Sequence, residues 1–437
     1  MKNVLMLGWE FPPLFSGGLG VATYGLVKAL SPKTNIRLII PKASSSTDIG
    51  NVNVIGLNQL SLKEIDLERI QFNLSSLNTE VHQLPLTISP YHYTNQWIET
   101  RERNSSDTFD ALATHQKSID QIHSIFSGNE AYGPDIMYKV YLFSKLSEEI
   151  AADGKFDVIH AHDWVTYPAG VNIKNRTGKP LVLHMHALET DRVGEYARNE
   201  IYNIEKNAME AADRIIAVSQ YTRQQIIQHY QINADKIDVV HNGIDPVEFA
   251  RKEHKLKDKL VVFLGRITHQ KGPDHLIETA EKLVRVYPRV KFLVAGVGDQ
   301  FAHLLETSAY KKLGRHFIFA GFLPKAKVDE LLALADVYFM PSVSEPFGIS
   351  PLEAMLANVP VIISKQSGVA EIITHAVKVD FWDIDAMADA IYGILSYPVL
   401  AREFIKNGRE EVIRIKWENS ARHIREIYEE VLSKYKH

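Results

Sequence analysis

Short apolar runs separated by longer amphipathic stretches set the pattern of the first half of the chain. Val4–Gly8, Ile36–Ile40, Val52–Gly56, Val158–His160, Leu181–His184 and Ile215–Val218 each read as a buried strand. Helical patterns lie between several of them. In Ile201–Ala212, for example, Ile201, Ile204, Ala208 and Ala211 fall near one face, with Glu205 and Lys206 opposite. From Ile88 to Gly133 the alternation lapses into polar, Asn-, Ser- and Thr-rich sequence with scattered aromatics, expected to be an insertion of helices and loops over the first sheet.

The pattern breaks near Val239-Val240-His241-Asn242-Gly243-Ile244-Asp245-Pro246, and a charged run from Arg251 to Lys259 reads as a linker. A second series follows, with strands at Val261–Leu264, Phe292–Gly296, Phe317–Phe319, Val337–Met340 and Val361–Ser364. Leu276, Ile277, Ala280, Leu283 and Val284 mark the buried face of a helix between the first two. Trp417–Tyr435 is a charged amphipathic helix. Two βα series imply an α/β protein with two open parallel sheets. The expected domains are residues 1–250, residues 251–412, and a closing helical segment, 413–437.

Composition narrows the function classes. A formal net charge of −4 gives no general pull toward nucleic acid or anionic membrane, so any phosphate binding must be local. The absence of cysteine removes disulfides, thiolate metal sites and a cysteine nucleophile. No apolar stretch reaches the ~18 residues of a membrane span, and the N-terminal apolar run ends at Trp9-Glu10-Phe11-Pro12-Pro13 with no small-residue cleavage site. The expectation is a soluble, cytoplasmic protein. Its oligomeric state is not legible.

Ligands of open parallel sheets bind beyond the carboxyl ends of the strands, and chemistry-bearing residues recur there. After Val261–Leu264 comes Gly265-Arg266-Ile267-Thr268-His269-Gln270-Lys271-Gly272. Two cations at a strand end beside a helix N-terminus suit a diphosphate; alone they read more readily as ordinary surface cations, and the flanking glycines bring the two readings level. After Val337–Met340 comes Ser344-Glu345-Pro346-Phe347-Gly348-Ile349-Ser350-Pro351-Leu352-Glu353-Ala354. Gly348 allows a tight turn that aims amides at an anion. Glu345 sits where a carboxylate accepts hydrogen bonds from sugar hydroxyls, while Glu353 stands in capping-box spacing from Ser350 and has a helix-capping alternative.

The turn Pro12-Pro13-Leu14-Phe15-Ser16-Gly17-Gly18-Leu19-Gly20 is neither a Walker loop nor a dinucleotide fingerprint; a close-packed structural turn is its default reading. Histidines alternate at two strand ends, His160-Ala161-His162-Asp163-Trp164 and His184-Met185-His186. Their spacing puts alternate rings on one face of a strand. A zinc site would need ligands converging from two strands, and no third ligand motif is evident, so no metal is assigned.

Together these motifs resemble the retaining glycosyltransferases of the GT-B fold, family 4, with similarity reaching the glycogen and starch synthases. The resemblance spans nearly the whole chain. It rests on Gly17-Gly18-Leu19-Gly20, His160-Ala161-His162-Asp163-Trp164, Asp213-Arg214-Ile215-Ile216-Ala217-Val218-Ser219 and Asn242-Gly243-Ile244-Asp245. It continues with Gly265-Arg266, Lys271-Gly272, Gly296, Gly298 and the Glu-x7-Glu pair Glu345 and Glu353.

The resemblance implies two facing Rossmann-like domains, a deep cleft between them and a terminal helix crossing back to the first. It implies a hexosyl donor carried on UDP or ADP, a saccharide acceptor, no resident cofactor and no obligatory metal. Arg266 and Lys271 match the pair that binds the donor diphosphate and stabilises the leaving nucleotide. Glu345 matches the carboxylate facing the donor sugar, and Glu353 the one on the ribose diol. Phe347, Gly348 and Ile349 match the backbone that meets sugar and phosphate. Gly17, Gly18 and Gly296 join the donor site, and His162 matches the active-site histidine. Trp9, His160, Asp163, Trp164 and His186 are candidates for the acceptor side, and Tyr91, Tyr93, Trp97 and Tyr167 add rings for sugar stacking.

One position departs from the pattern. Bacterial and plant glycogen and starch synthases carry a lysine two positions before their Gly-Gly-Leu-Gly, where this chain has Phe15. The acceptor therefore stays open among an α-glucan, a sugar phosphate and a surface-polysaccharide precursor. The rival readings are a sugar-nucleotide epimerase, a pyridoxal-phosphate phosphorylase (no cofactor-lysine motif is present) and a non-catalytic nucleotide-sugar sensor.

Overall fold

Every apolar run above becomes a strand in the computed structural model, which describes residues 1–13, 17–44, 49–60, 122–128, 132–133, 135–247 and 257–435. The expected insertion at 88–133 falls almost wholly outside the described residues, as do Phe15, Tyr91, Tyr93, Trp97 and most of the charged run after residue 247. The chain divides into two compact units. The first comprises Met1–His184, Asn207–Arg214 and Tyr428–His437; the second comprises Met185–Lys206 and Ile215–Ile427. The expectation had instead divided the chain at consecutive positions, with 1–250 as one piece.

In the first unit, β1 (Lys2–Leu7), β2 (Thr34–Ile40), β3 (Val52–Gly56), β4 (Val158–His162) and β5 (Leu181–Met185) run in the order β3-β2-β1-β4-β5. All pairings are parallel. The order reverses between β1 and β4, and ligands of such sheets bind beyond the strand ends at that switch. The end of helix Trp417–Lys434 also belongs to this unit, held by Arg214–Glu430 at 3.1 Å and by the Tyr435 hydroxyl donating to Asp213 at 2.8 Å. Asp213 accepts as well from the Leu181 N–H and pairs with Lys174, both at 2.7 Å. The Asp213-Arg214 motif is thus a structural knot.

The second unit holds the short parallel pair formed by β6 (Arg214–Ala217) and β7 (Ile237–Val239), and a six-stranded parallel sheet. Its strands are β8 (Lys259–Leu264), β9 (Val290–Ala295), β10 (Phe317–Gly321), β11 (Val337–Met340), β12 (Val361–Ser364) and β13 (Val377–Val379), in the order β10-β9-β8-β11-β12-β13. Alternate residues face opposite sides of a strand. Leu260, Val262, Tyr338, Met340 and Ile363 enter one buried cluster, and Val261, Phe263, Val337, Phe339 and Ile362 the other. Helix Pro273–Val286 covers the second cluster with the predicted Leu276, Ile277, Ala280 and Leu283. The switch lies between β8 and β11, the strands whose ends carry Arg266, Lys271, Glu345 and Glu353. Among the described residues no single helix is long and apolar enough to cross a membrane.

Candidate active site

Three glycines let the ends of β8 and β9 press backbone against backbone. At Gly296, with φ +147°, a Cβ would lie 1.9 Å from the Gly265 carbonyl oxygen; at Gly298 it would lie 2.2 Å from that of Ile267. Gly265 itself has φ +154° and donates to the Ala295 carbonyl at 3.1 Å. The turn then passes under the loop after β11. The Gln270 carbonyl accepts from the Val343 N–H at 2.9 Å, and a Cβ on Gly272 would meet the Pro341 oxygen at 2.1 Å.

This stitching brings Lys271 to Glu345, and the two form an ion pair with side chains 21% and 8% exposed. Ser342 donates to the same carboxylate oxygen at 3.4 Å. Arg266 is exposed on the same turn. One cation is therefore engaged by a largely buried carboxylate and the other faces solvent, both at the switch.

The Glu345 loop is held on its other side too. Glu345 N–H donates to Gln366 and its carbonyl accepts from Gly368, both at 2.9 Å. The Pro346 carbonyl accepts from Ser219 at 2.6 Å and Thr222 at 3.3 Å, and the Phe347 carbonyl from Val369 at 2.7 Å. Phe347 is buried, and Gly348 turns with φ +93° ahead of Ile349 and helix Ser350–Leu356.

The capping box expected of Ser350 and Glu353 does not form. The helix starts one residue earlier than a Ser350 cap requires, with Ile349 in the capping position and no side-chain cap. The Ser350 hydroxyl meets Tyr338 at 2.7 Å, and Glu353 pairs with Lys325 at 3.2 Å. Burial pulls Lys325 down, but the Glu353 charge and the Asp329 hydrogen bond outweigh it and hold the amine above its ordinary value.

Helix Glu189–Val193 lies against the His269–Lys271 turn. Two buried acids, Glu189 and Glu205, share Arg192, whose side chain is 4% exposed, at 3.2 and 3.1 Å. Tyr230 and the Glu189 N–H also donate to Glu205, and Asn199 donates to Glu189 at 2.7 Å. One guanidinium balances one carboxylate, and burial pushes Glu205 up to about 8. Such a group contributes stability that is complete below its unfolded value near 4.5 and is lost as pH rises through 8. Glu205→Gln is expected to remove a slope of up to about 1.4 kcal/mol per pH unit across that window, read from unfolding midpoints at pH 5, 6.5 and 8. Parallel midpoint–pH curves for variant and parent would contradict it.

In the first unit, Trp9 and Trp164 are 2% and 1% exposed, and Trp9 meets Phe143 edge-on at 5.4 Å. Tyr167 is buried and donates to the His184 carbonyl at 2.9 Å. These rings fill the core. Asp163 has φ 64° and ψ 160°, a region costly to non-glycine residues, and caps the Trp164 N–H at 2.8 Å. Gly17 faces the Glu10 carboxylate, which accepts from the Gly20 N–H at 3.3 Å, whereas a Cβ on Gly18 would meet nothing within 4 Å.

His184, from the second of the two histidine motifs, joins His160 and His162 as a third ring. His160, His162 and His184 are buried with nitrogens within 4.8 Å of one another. Zinc bound at 2.0–2.1 Å needs donors roughly 3.4 Å apart and lone pairs that converge. Here the rings stack, His160 on His162 at 4.3 Å and His160 on His184 at 5.4 Å with planes 2° apart. His160 is oriented by the Tyr428 hydroxyl at 2.6 Å. His186, half-buried, falls in the second unit.

The fold is that of solved GT-B proteins. Sucrose-phosphate synthase of Thermosynechococcus elongatus matches 99% of this chain and all of its own with a TM-score of 0.69 at 18% identity. Anabaena HepE, solved with UDP and glucose, matches 98% and 100% with a TM-score of 0.64 at 16% identity.

Residues 245–411 match the family described as glycosyl transferases group 1, and residues 104–248 that described as glycosyltransferase family 4. An uncharacterized glycosyltransferase of Methanocaldococcus jannaschii is 30% identical over 67% of this chain and 80% of its own length. The alpha-maltose-1-phosphate synthase of Mycolicibacterium smegmatis is 32% identical over 63% and 79%. A glycogen synthase of Mycobacterium tuberculosis is 23% identical over 98% and 94%. The chain belongs to the group 1, family 4 glycosyltransferases: it is an enzyme of the retaining hexosyltransferase type, moving sugar from a nucleotide sugar.

Proposed function

We propose that the enzyme transfers a glucosyl group from a UDP- or ADP-activated donor to a saccharide acceptor, and that the second unit binds the donor. The observation that carries this reading is the Lys271–Glu345 pair at the β8/β11 switch, with Arg266 exposed beside it. As the bond to the anomeric carbon breaks, the nucleoside diphosphate leaves with developing negative charge. Arg266 and Lys271 stabilise that charge, and Glu345, fixed by Ser342 and the loop, faces the sugar. Fixed cations in a preorganised site contribute most where charge develops. Retention follows a front-face course in this reading, the leaving phosphate taking the acceptor proton. Gly296, Phe347, Gly348 and Ile349 of the second unit are assigned to donor binding, and His162, Gly17 and Gly18 of the first unit are candidates on the family resemblance alone.

The acceptor proposed first is an α-glucan, in keeping with the glycogen synthase relative that aligns along nearly the full chain. A sugar phosphate is the second reading, favoured by the higher identity to the maltose-1-phosphate synthase. A donor-by-acceptor screen that detects released UDP or ADP tests both, run with and without EDTA. Release is expected with one of these acceptor classes and is expected to survive chelation. Donor conversion without any acceptor would point to an epimerase, nucleotide binding without release to a sensor, and loss with EDTA restored by Mg²⁺ would overturn the cation-by-protein mechanism.

Glu353 is proposed to hold the donor ribose. With no capping role, Glu353→Gln forfeits only its pair with the half-exposed Lys325, worth at most about 1 kcal/mol, so the melting temperature is expected to stay. Loss of a charged acceptor for the diol costs roughly 1.5–3 kcal/mol, so UDP or ADP is expected to bind about ten- to a hundred-fold more weakly by calorimetry. Unchanged nucleotide affinity would remove Glu353 from the site.

A further inference from the structure

We propose that Asp191 and Ser344 are positioning residues for Glu345, a hydrogen-bonded couple that fixes the loop from which the Glu345 carboxylate reaches Lys271. The inference rests on the assignment of Glu345 to the donor sugar. Ser344 immediately precedes Glu345, and its hydroxyl donates to Asp191 Oδ1 at 2.5 Å. Having donated there, it accepts from the Tyr221 hydroxyl, 2.9 Å away. The other Asp191 oxygen accepts from the Leu188 N–H at 2.8 Å, so both carboxylate oxygens are committed. Asp191 is 6% exposed. A buried carboxylate that loses a donor has no water to replace it, so the couple resists opening.

The couple ties the two halves of the site together. The helix that carries Asp191, Glu189–Val193, lies against the His269–Lys271 turn and is itself pinned by Arg192 between Glu189 and Glu205. Ser344 also shares the Gln270 carbonyl with Val343, at 3.4 and 2.9 Å. The turn bearing Lys271 and the loop bearing Glu345 are therefore referenced to one buried acid. Asparagine is isosteric with Asp191 but a poorer partner: with its one oxygen on the Leu188 N–H, its NH₂ group faces Ser344, whose hydroxyl must reverse and donate to Tyr221, so two charge-assisted bonds to a carboxylate become neutral ones.

Asp191→Asn, Ser344→Ala, Ser344→Thr and the Asp191→Asn/Ser344→Ala double variant test the couple. Hydrogen exchange of the peptide spanning 342–349, measured without substrate, is expected to quicken in Asp191→Asn and Ser344→Ala and return to the parental rate in Ser344→Thr. Misplacement of a reacting group by about 1 Å costs up to roughly 10²-fold in rate. With the substrate pair found in the screen, kcat is expected to fall about 10- to 100-fold in the two single variants. UDP or ADP affinity should hold within about threefold, and the double variant should be no slower than the worse single one. Unchanged exchange, additive losses of kcat, or nucleotide affinity falling in step with kcat would each overturn the couple. Glu345→Gln separates the two readings. Full turnover in Glu345→Gln removes the assignment on which the couple rests, whereas a slow Glu345→Gln beside fully active Asp191→Asn and Ser344→Ala removes the couple alone.

Discussion

Lys271→Ala is expected to lower turnover by about 10²–10³, the usual loss when one preorganised charge contact to a developing anion is removed. The same substitution strips Glu345, a largely buried carboxylate, of its cation. Breaking such a pair from one side is destabilising in its own right, so the melting temperature is expected to fall as well. Adding Glu345→Gln to Lys271→Ala should restore most of the lost stability and none of the lost rate. Arg266→Ala, on an exposed side chain, should slow turnover with a smaller change in melting temperature than Lys271→Ala. Steady-state rates beside thermal melts of the four proteins decide the matter; near-normal rates in both single cation variants would displace the phosphate site from β8.

Gly296→Ala has the largest expected effect on the fold. The position combines φ +147° with a Cβ that would sit 1.9 Å from the Gly265 oxygen, so neither the backbone nor the neighbour can accommodate a methyl group in place. Strain of this kind and forced repacking together cost about 2–4 kcal/mol, and a melting temperature lowered by roughly 5–15 °C is expected. Gly18→Ala is the matched control: nothing stands within 4 Å of its added Cβ, and the helix it opens should tolerate alanine. A Gly18→Ala protein that melts normally but turns over slowly would show that the space beside Gly18 is used by substrate; a Gly296→Ala protein that melts normally would contradict the close approach.

Much of the fold was legible because buried parallel strands write themselves as uninterrupted apolar runs. β7 and β13 escaped, at three residues each, because so short a run has no periodicity to read. The strand ends bearing Arg266, Lys271, Glu345 and Glu353 were legible from turn residues and charge together. What local spacing could not show was which partner each polar group would choose. Ser350 and Glu353 have the spacing of a cap, yet Tyr338 and Lys325, from elsewhere in the chain, claim them. Glu205 falls on the polar face of its helix and would be expected in solvent, but Arg192 and Tyr230 make a buried site for it. Asp191 gave no signal at all, since one acid in a short helix looks like any surface acid until Ser344 is seen against it. His184 was visible only as half of a pair two positions apart, and register with β4 is what sets it beside His162.

The His160–Tyr428 hydrogen bond joins residues 268 positions apart, and this separation has a meaning in time. At the ~5–20 residues per second of protein synthesis, His160 leaves the ribosome roughly 15–50 s before the tyrosine that orients it. The first unit is thus begun before the second and completed after it, since both Met1–His184 and Tyr428–His437 belong to it. During that interval the stacked histidines lack the Tyr428 hydroxyl, and the segments of the second unit, Met185–Lys206 and Ile215–Ile427, are translated within it. A chain that ended at Ile427 would carry every segment of the second unit and a first unit without the tyrosine that orients His160.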